Sequence, residues 1–241
     1  MRDFLFYPAV ILLFFIPALA QVKPKPTPSK IPSGVPIKPG TTTTPVGAKI
    51  TVDPGTVNGR TYTNTQFGFD VTFPDTWLIP DSDFEEQMKK QGFDLGLKAP
   101  DSLPLSAQAK INRAIKRVNI LLTAYRSIPG AADNTIVRIS VENLAGNPQI
   151  KDAVDYFDAI RATYSTMKLP ADFKYSETQA EKLGAMQFAF LDTSTKAGKK
   201  RMYATVRRGY AVMFTISYSN VGDLATMRRI LEEGNFSLKR P

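Results

Sequence analysis

The stretch FGFDVTFPDTW, residues 67–77, ends in the only tryptophan of the chain. Its apolar residues stand two positions apart, the spacing that puts side chains on one face of a β-strand. They are Phe67, Phe69, Val71 and Phe73. Pro74 lacks a backbone N–H and ends the run. We predict a strand with one buried face and a Trp77 ring packed under the following turn; the alternative is a ligand site built on the aromatic cluster.

Four segments downstream carry helix patterns. Ser82 with Glu85 three positions later matches a capping box. Residues 105–118 place apolar side chains on one helical face, and Asn147-Pro148 begins a third helix. Its predicted apolar stripe is Ile150, Val154, Phe157, Ile160 and Tyr164. The apolar face of the last helix is Leu224, Met227, Ile230 and Leu231, with Gly234 as its predicted C-terminal cap.

The remaining segments alternate as strands do. NILLTAYRS and TIVRISVENL predict two strands joined by a turn-rich connection, and FKYSETQ predicts a short edge strand. Three further strands follow after residue 184. In GYAVMFTISYS one face is Tyr210, Val212, Phe214, Ile216 and Tyr218, and the other face has side chains small enough for a helix to lie against. These patterns predict an α+β fold with a largely antiparallel sheet and helices on its faces.

Three stretches resemble the PsbP-like domain family. GFDVTFPDTW is similar to its Gly-aromatic-x-aliphatic-x-aromatic-Pro strand that runs into a tryptophan, and RISVENLAGNPQIKDAVDYF resembles its strand, short connection and helix. Residues 201–236 resemble its closing hairpin and last helix, although Asn235-Phe236 departs slightly from the usual ending. The resemblance covers roughly residues 60–241. It implies an α/β/α sandwich with a central, mostly antiparallel sheet flanked by helices.

The resemblance also implies roles that are mostly non-enzymatic. Known members include extrinsic subunits of photosystem II and a nuclear relative that binds the GTPase Ran. No set of catalytic residues accompanies this fold, so none is transferred to this chain. The photosystem subunit depends on its own N-terminal tail, which this chain does not match, so a photosynthetic role is not implied.

The first twenty residues predict an export signal. Arg2 is followed by an apolar run from Phe4 to Ile16, and Ala18 and Ala20 are small residues at the −3 and −1 positions of a cleavage site before Gln21. The alternative is an uncleaved anchor. The run is shorter than the roughly 20 apolar residues that span a bilayer, so we expect no stable transmembrane span after cleavage.

Residues 21–59 predict a disordered linker, and residues 60–241 a single folded domain. Eight of the 18 prolines lie between Pro24 and Pro54, and proline-rich sequence forms extended spacers without a core. Five lysines against Asp53 give the linker a net charge of +4, out of +9 for the chain. The linker is either a plain solvated spacer, a ligand for a module that binds polyproline helices, or a basic arm that rests on an acidic surface.

The composition excludes several chemistries. The chain has no cysteine and no histidine, so thiolate nucleophiles, histidine-based triads and histidine or thiolate metal sites are ruled out. It also has no glycine-rich phosphate loop. We therefore predict no catalytic, cofactor-binding or metal-ligating residue and no cofactor.

Two weaker motifs favour structural interpretations. STMK, Ser165 to Lys168, matches the S-x-x-K nucleophile of penicillin-recognising enzymes, but KAG precedes YSN, the reverse of the order in those enzymes. The carboxylates at 81, 83, 85 and 86 offer oxygen ligands for calcium, yet they lack the spacing of a binding loop. Carboxylates at a helix N-terminus also cap free N–H groups, and we favour that role.

Basic residues form two groups that are candidate contact patches. The first is Lys110, Arg113, Lys116 and Arg117; the second is Lys196, Lys199, Lys200 and Arg201 at a predicted hairpin tip. A solvated surface is the competing interpretation, because lysines at tips and edges also prevent sheets from pairing with each other. Nucleic acid is not an expected partner, since no aromatic residues are interleaved with these groups.

These observations predict a secreted or periplasmic, non-enzymatic binding or accessory module of the cell envelope. Its expected partner is an envelope protein or an acidic surface or polymer. The alternative is an envelope hydrolase that uses carboxylates or a Ser–Lys pair. A hydrolase requires polar groups that converge with displaced pKa values.

Overall fold

The structure is a computed structural model of the chain. It describes residues 52–90, 105–128, 131, 134–167, 169–196 and 198–237. The predicted export signal and residues 21–51 of the predicted linker lie outside the described residues.

A small antiparallel sheet begins the described chain. Its strands are β1 (Thr56–Asn58), β2 (Thr61–Asn64) and β3 (Phe69–Thr72). Upstream of β1, the backbone N–H of Asp53 donates to Oε1 of Gln66 at 2.6 Å, and the Tyr62 hydroxyl donates to the carbonyl of Pro54 at 2.7 Å. The described structure thus begins upstream of residue 60, which lies between β1 and β2.

A second sheet forms the centre of the domain. Its strands are β4 (Val118–Tyr125), β5 (Ile136–Asn143), β6 (Lys174–Tyr175), β7 (Gln179–Leu183), β8 (Met186–Thr195), β9 (Gly198–Arg207) and β10 (Tyr210–Tyr218). The order is β4-β5-β10-β9-β8-β6, β7 also pairs with β8, and all pairs are antiparallel. β10 lies between β5 and β9, so the last strand of the sheet is an internal one.

Helices cover both faces of this sheet. They are α1 (Ser82–Lys90), α2 (Leu105–Ile115), α3 (Ala153–Thr166) and α4 (Val221–Glu233). One apolar cluster joins α3 and the end of α2 to the sheet, and a second joins α4 and the small sheet to its other face. The fold is α+β with the predicted layers. Within the described residues, no helix is long and apolar enough to cross a membrane.

The core on the α4 side contains the segment at 67–77. Phe67, Phe69, Val71 and Phe73 are each at most 1% exposed, as the alternation predicts. Trp77 is 2% exposed, and its ring lies 6.0 Å from that of Phe73. The burial of Trp77 confirms the anchor interpretation and leaves its ring no exposed face for a ligand.

The α3 side differs from the prediction in where its helix begins. α3 starts at Ala153 instead of near Asn147-Pro148, because Oδ1 of Asp152 accepts from the backbone N–H groups of Val154 and Asp155 at 2.8 and 2.9 Å. This start turns Val154 outward, so the predicted stripe is wrong at that position. Tyr156 and Thr163 are buried in its place.

Two other local predictions also differ. The cap of α1 is Asp81, whose Oδ1 accepts from the backbone N–H of Phe84 at 2.8 Å, while the predicted cap, Ser82, is already the first helical residue. The segment that was predicted to form one short edge strand contains β6 and the first residue of β7, which pairs with β8 in a tight hairpin. Both differences are local and leave the layers unchanged.

Candidate functional site

The first predicted basic group lies where α2 ends and β4 begins. Arg113 is in the last turn of α2, and Lys116 and Arg117 connect it to β4. All three are exposed. The side chain of the fourth member, Lys110, lies outside the described part of the structure. The described members therefore form one exposed basic surface, which we call the α2–β4 surface (Arg113, Lys116, Arg117).

The second predicted basic group is divided by the strand geometry. Lys196 and Lys199 are exposed at the β8–β9 tip, but Lys200 is only 8% exposed and faces the α3 side. Arg201 faces the other side, where it is paired with Asp192. Adjacent residues of a strand point to opposite faces of the sheet. The four cations are close in sequence, but they therefore cannot form one patch. Only Lys196 and Lys199 are exposed members of this group.

The two groups lie at opposite ends of the sheet. Val118, next to the α2–β4 surface, pairs with Glu142, which pairs with Ala211. Lys199 pairs with Tyr218, seven residues further along β10. At about 3.3 Å per residue, roughly 23 Å separates these positions along the strand. A small ligand therefore cannot contact both groups.

Arg201 has a structural explanation. Its Nε and Nη2 donate to the two carboxylate oxygens of Asp192 at 2.7 and 2.6 Å, and its guanidinium lies 4.2 Å from the centre of the Phe190 ring. Burial would lower the pKa of Arg201, but hydrogen bonds to Asp192 and Tyr203 and the charge of Asp192 raise the pKa above its ordinary value. A bidentate pair over an aromatic ring fixes the arginine in place.

The sequence interpretation missed a row of polar side chains under the helices. Arg138, Ser140 and Glu142 alternate along β5 and are 6%, 0% and 1% exposed. Their neighbours on β10 are Thr215, Met213 and Ala211 in that order. Met213 and Ala211 belong to the α3-side cluster, so the three polar residues of β5 face the same layer.

At one end of this row Glu142 is bonded to α3. The Tyr156 hydroxyl donates to Oε2 of Glu142 at 2.8 Å and lies 3.6 Å from the sulfur of Met213. Burial raises the pKa of Tyr156 well above its ordinary value, and the charge of Glu142 and the hydrogen bond to it act in the same direction. The phenol therefore stays protonated and serves as a donor to the buried carboxylate.

At the other end of the row are two buried cations. Burial lowers the pKa of Arg138, and burial together with the charge of Arg138 lowers the pKa of Lys200 to about 7. The Nε of Arg138 has no hydrogen-bond partner, and neither has the hydroxyl of Thr215 or of Ser140. We call Arg138, Lys200 and Thr215 the buried basic cluster.

A signal for this cluster was present in the sequence. Within IVRISVEN, residues 137–142 alternate strictly, with Val137, Ile139 and Val141 on one face. The charged residues of the other face do not reveal from sequence alone whether that face is covered. Only the strand order, which places β5 inside the sheet, shows that this face is covered.

The motifs set aside from the sequence have structural roles here. The Ser165 hydroxyl donates to the carbonyl of Ala162 at 2.8 Å, while Lys168 lies outside the described residues. Asn220, from the YSN echo, accepts from the backbone N–H of Gly222 and caps α4. Among the described residues, no group of three or more acidic residues is placed to hold a metal ion.

The solved structures that resemble this chain include two distant ones. Cyanobacterial PsbP (CyanoP) from Synechocystis sp. PCC 6803 superposes with a TM-score of 0.40 at 12% identity, over 75% of this chain and 97% of that one. LpqN, involved in cell envelope biogenesis of Mycobacterium tuberculosis, superposes with a TM-score of 0.35 at 12% identity, over 69% and 82%.

No protein-family model and no curated protein matches the chain. A cyanobacterial PsbP is among the structures that this chain resembles. Membership of the PsbP-like family stays a prediction, since both likenesses are too distant to carry it.

Proposed function

We propose that the protein is an exported, non-enzymatic accessory module of the cell envelope that binds an acidic surface or polymer. Export is inferred from the apolar run at 4–16 and the small residues before Gln21. Binding is inferred from positive charge in two places, the Lys/Pro-rich segment and the folded domain.

The observation that carries this proposal is the α2–β4 surface. Arg113, Lys116 and Arg117 lie within five consecutive positions and are all exposed, at a place where a helix ends and an edge strand begins. A cluster of exposed cations attracts an anionic surface over about a Debye length, close to 8 Å at physiological salt. The lysines at 23, 25, 30, 38 and 49 extend the same charge along the linker.

The test is binding of the protein to vesicles that contain anionic phosphatidylglycerol, compared with vesicles of neutral phosphatidylcholine. We expect binding to the anionic vesicles only, decreasing steeply as salt is raised. Replacing Arg113, Lys116 and Arg117 by glutamine should weaken binding at least about tenfold, because each cation near such a surface contributes about 1 kcal/mol.

A variant with the same charge change is the control. Lys174, Lys182 and Arg229 are exposed but lie on β6, β7 and α4, so their replacement by glutamine should reduce binding less. Equal loss in both triple variants would mean that net charge alone acts, and the α2–β4 surface would have no special role. A deletion of residues 21–51, which spares Asp53 and β1, measures the contribution of the linker.

Export has a separate test. Fractionation of cells that express the full chain should place the protein outside the cytoplasm, and its N-terminal residue should be Gln21. Ala20→Arg should block cleavage, because the −1 position needs a small side chain. Retention of the unaltered chain in the cytoplasm would refute export. Turnover of an ester, amide or glycoside substrate by the purified protein would refute the non-enzymatic assignment.

A further inference from the structure

Four side chains with hydrogen-bond donors share the α3 face of the sheet. Arg138 on β5 is directly opposite Thr215 on β10, and Thr215 is opposite Met202 on β9. Lys200 is two residues before Met202 and shares its face. Ser140, two residues after Arg138, is the fourth.

The guanidinium of Arg138 is the unusual member. Arg138 as a whole is 6% exposed, the Nε of its guanidinium has no hydrogen-bond partner, and none of the described carboxylates forms an ion pair with it. Glu142, four residues along the same face of β5, accepts a hydrogen bond from Tyr156. A buried charge without an oppositely charged partner is strongly unfavourable. This indicates that an anion binds next to Arg138.

The neighbouring groups define the chemistry of that partner. The hydroxyls of Thr215 and Ser140 are 3% and 0% exposed and have no hydrogen-bond partner. Lys200 adds a second basic group, and the charge of Arg138 contributes to lowering its pKa. Two cations and two hydroxyl donors match a ligand that accepts several hydrogen bonds and carries negative charge.

We propose that Arg138, Thr215 and Lys200 form a binding site for one small oxyanion, with Ser140 as an additional donor. The planar guanidinium donates to two oxygens of a carboxylate or phosphate, and Thr215 and Lys200 donate from the adjacent strands. The three side chains are at most 8% exposed, so the ligand is a small molecule or ion. This site is independent of the exposed α2–β4 surface.

The experiment is calorimetric titration of the full chain with inorganic phosphate, acetate or chloride at constant ionic strength and about pH 6, where Lys200 is charged. We expect saturable binding of one oxyanion per chain and none of chloride. Phosphate and acetate in separate arms distinguish a phosphate site from a carboxylate site. The thermal unfolding temperature should rise with the bound anion, since a ligand stabilises the state that it binds.

Arg138→Met should weaken binding about tenfold or more, since it removes a charge-assisted hydrogen bond. Thr215→Val keeps the shape of the side chain and removes only the hydroxyl, and it should weaken binding by a smaller factor. Lys199→Met is the matched control, because Lys199 adjoins Lys200 but is exposed, and its replacement should leave binding unchanged.

Three results would overturn the proposal. They are the absence of saturable binding by the unaltered chain, equal binding of chloride, and unchanged binding in both Arg138→Met and Thr215→Val. If Arg138→Met fails to fold, Thr215→Val and Lys200→Met decide the question: unchanged affinity in both would refute the site, and weakened affinity in either supports it.

Discussion

Phe69 and Phe236 stack on each other with ring centroids 5.8 Å apart and planes 19° from parallel. Next to them, the backbone N–H groups of Asp70 and Asn235 donate to each other's carbonyls at 2.8 and 3.0 Å. The first and last parts of the described chain therefore meet in one core. Phe214 of the central sheet contacts both rings edge-on, so three layers are joined at this point.

Trp77→Ala should lower the free energy of unfolding by about 3–5 kcal/mol, because it removes a large aromatic side chain that is 2% exposed. Urea unfolding followed by far-UV circular dichroism measures this without relying on the tryptophan. Val221→Ala, at a position that is 67% exposed, should change stability by less than about 0.5 kcal/mol. A loss below about 1 kcal/mol in Trp77→Ala would show that the ring is not a core residue.

Gly234→Ala should destabilise the domain by about 1–3 kcal/mol through steric overlap. Gly234 ends α4 with φ −65°, a conformation that any residue adopts, so backbone strain is not the cause. An added Cβ would lie 2.9 Å from Cε2 of Phe236 and 3.1 Å from Cγ1 of Val71. Gly146→Ala, where nothing lies within 4 Å, is the control in the same denaturation experiment, and similar losses in both would refute the steric explanation.

Stability should rise with pH above neutrality because of Lys200. Its pKa is lowered from 10.5 to about 7 on folding. Between these values the unfolded chain binds the proton and the folded chain does not, so the free energy of unfolding increases by up to about 1.4 kcal/mol per pH unit. Denaturation between about pH 7 and 9 measures the slope, below the range in which tyrosines ionise.

Lys200→Met should flatten this profile, and Lys199→Met should not, since Lys199 is exposed. Lys199 and Lys200 are neighbours in the sequence, but their side chains lie on opposite faces of β9. If the increase of stability with pH is unchanged in Lys200→Met, another titrating group must cause it.

Tyr156→Phe should lower the free energy of unfolding by about 1–3 kcal/mol, because it removes a donor to the buried carboxylate of Glu142. Tyr175→Phe, at a position that is 39% exposed, is the matched control and should be close to neutral. Equal effects of the two substitutions would mean that the hydroxyl of Tyr156 contributes nothing specific.

The sequence predicted β10 well because both of its faces carry a signal. Tyr210, Val212 and Phe214 alternate with Ala211 and Met213, and the structure buries the first set against α4 and the second against α3. Large and small side chains on alternate positions specify a strand that lies between two layers. The same pattern in FGFDVTF explains why its buried face was predicted.

The buried basic cluster was not predictable in the same way. Alternation places Arg138, Ser140 and Glu142 on one face, but it does not say whether that face is covered. Covering depends on β5 pairing with β10, which lies more than 60 residues later in the chain. Likewise, Lys199 and Lys200 look equivalent in sequence, and only their register on β9 separates an exposed lysine from a buried one.

Because Asp70 pairs with Asn235, the domain cannot complete its fold until residue 235 has been synthesised. At a synthesis rate of about 5–20 residues per second, the ribosome delivers Phe236 roughly ten to thirty seconds after Phe69. Until residue 218 is made, the opening strand lacks the central strand β10, and until residue 236 is made it lacks its aromatic partner. A nascent chain at this stage lacks the core around Phe236, so it would still be unfolded if it entered a translocation channel, as the proposed export requires.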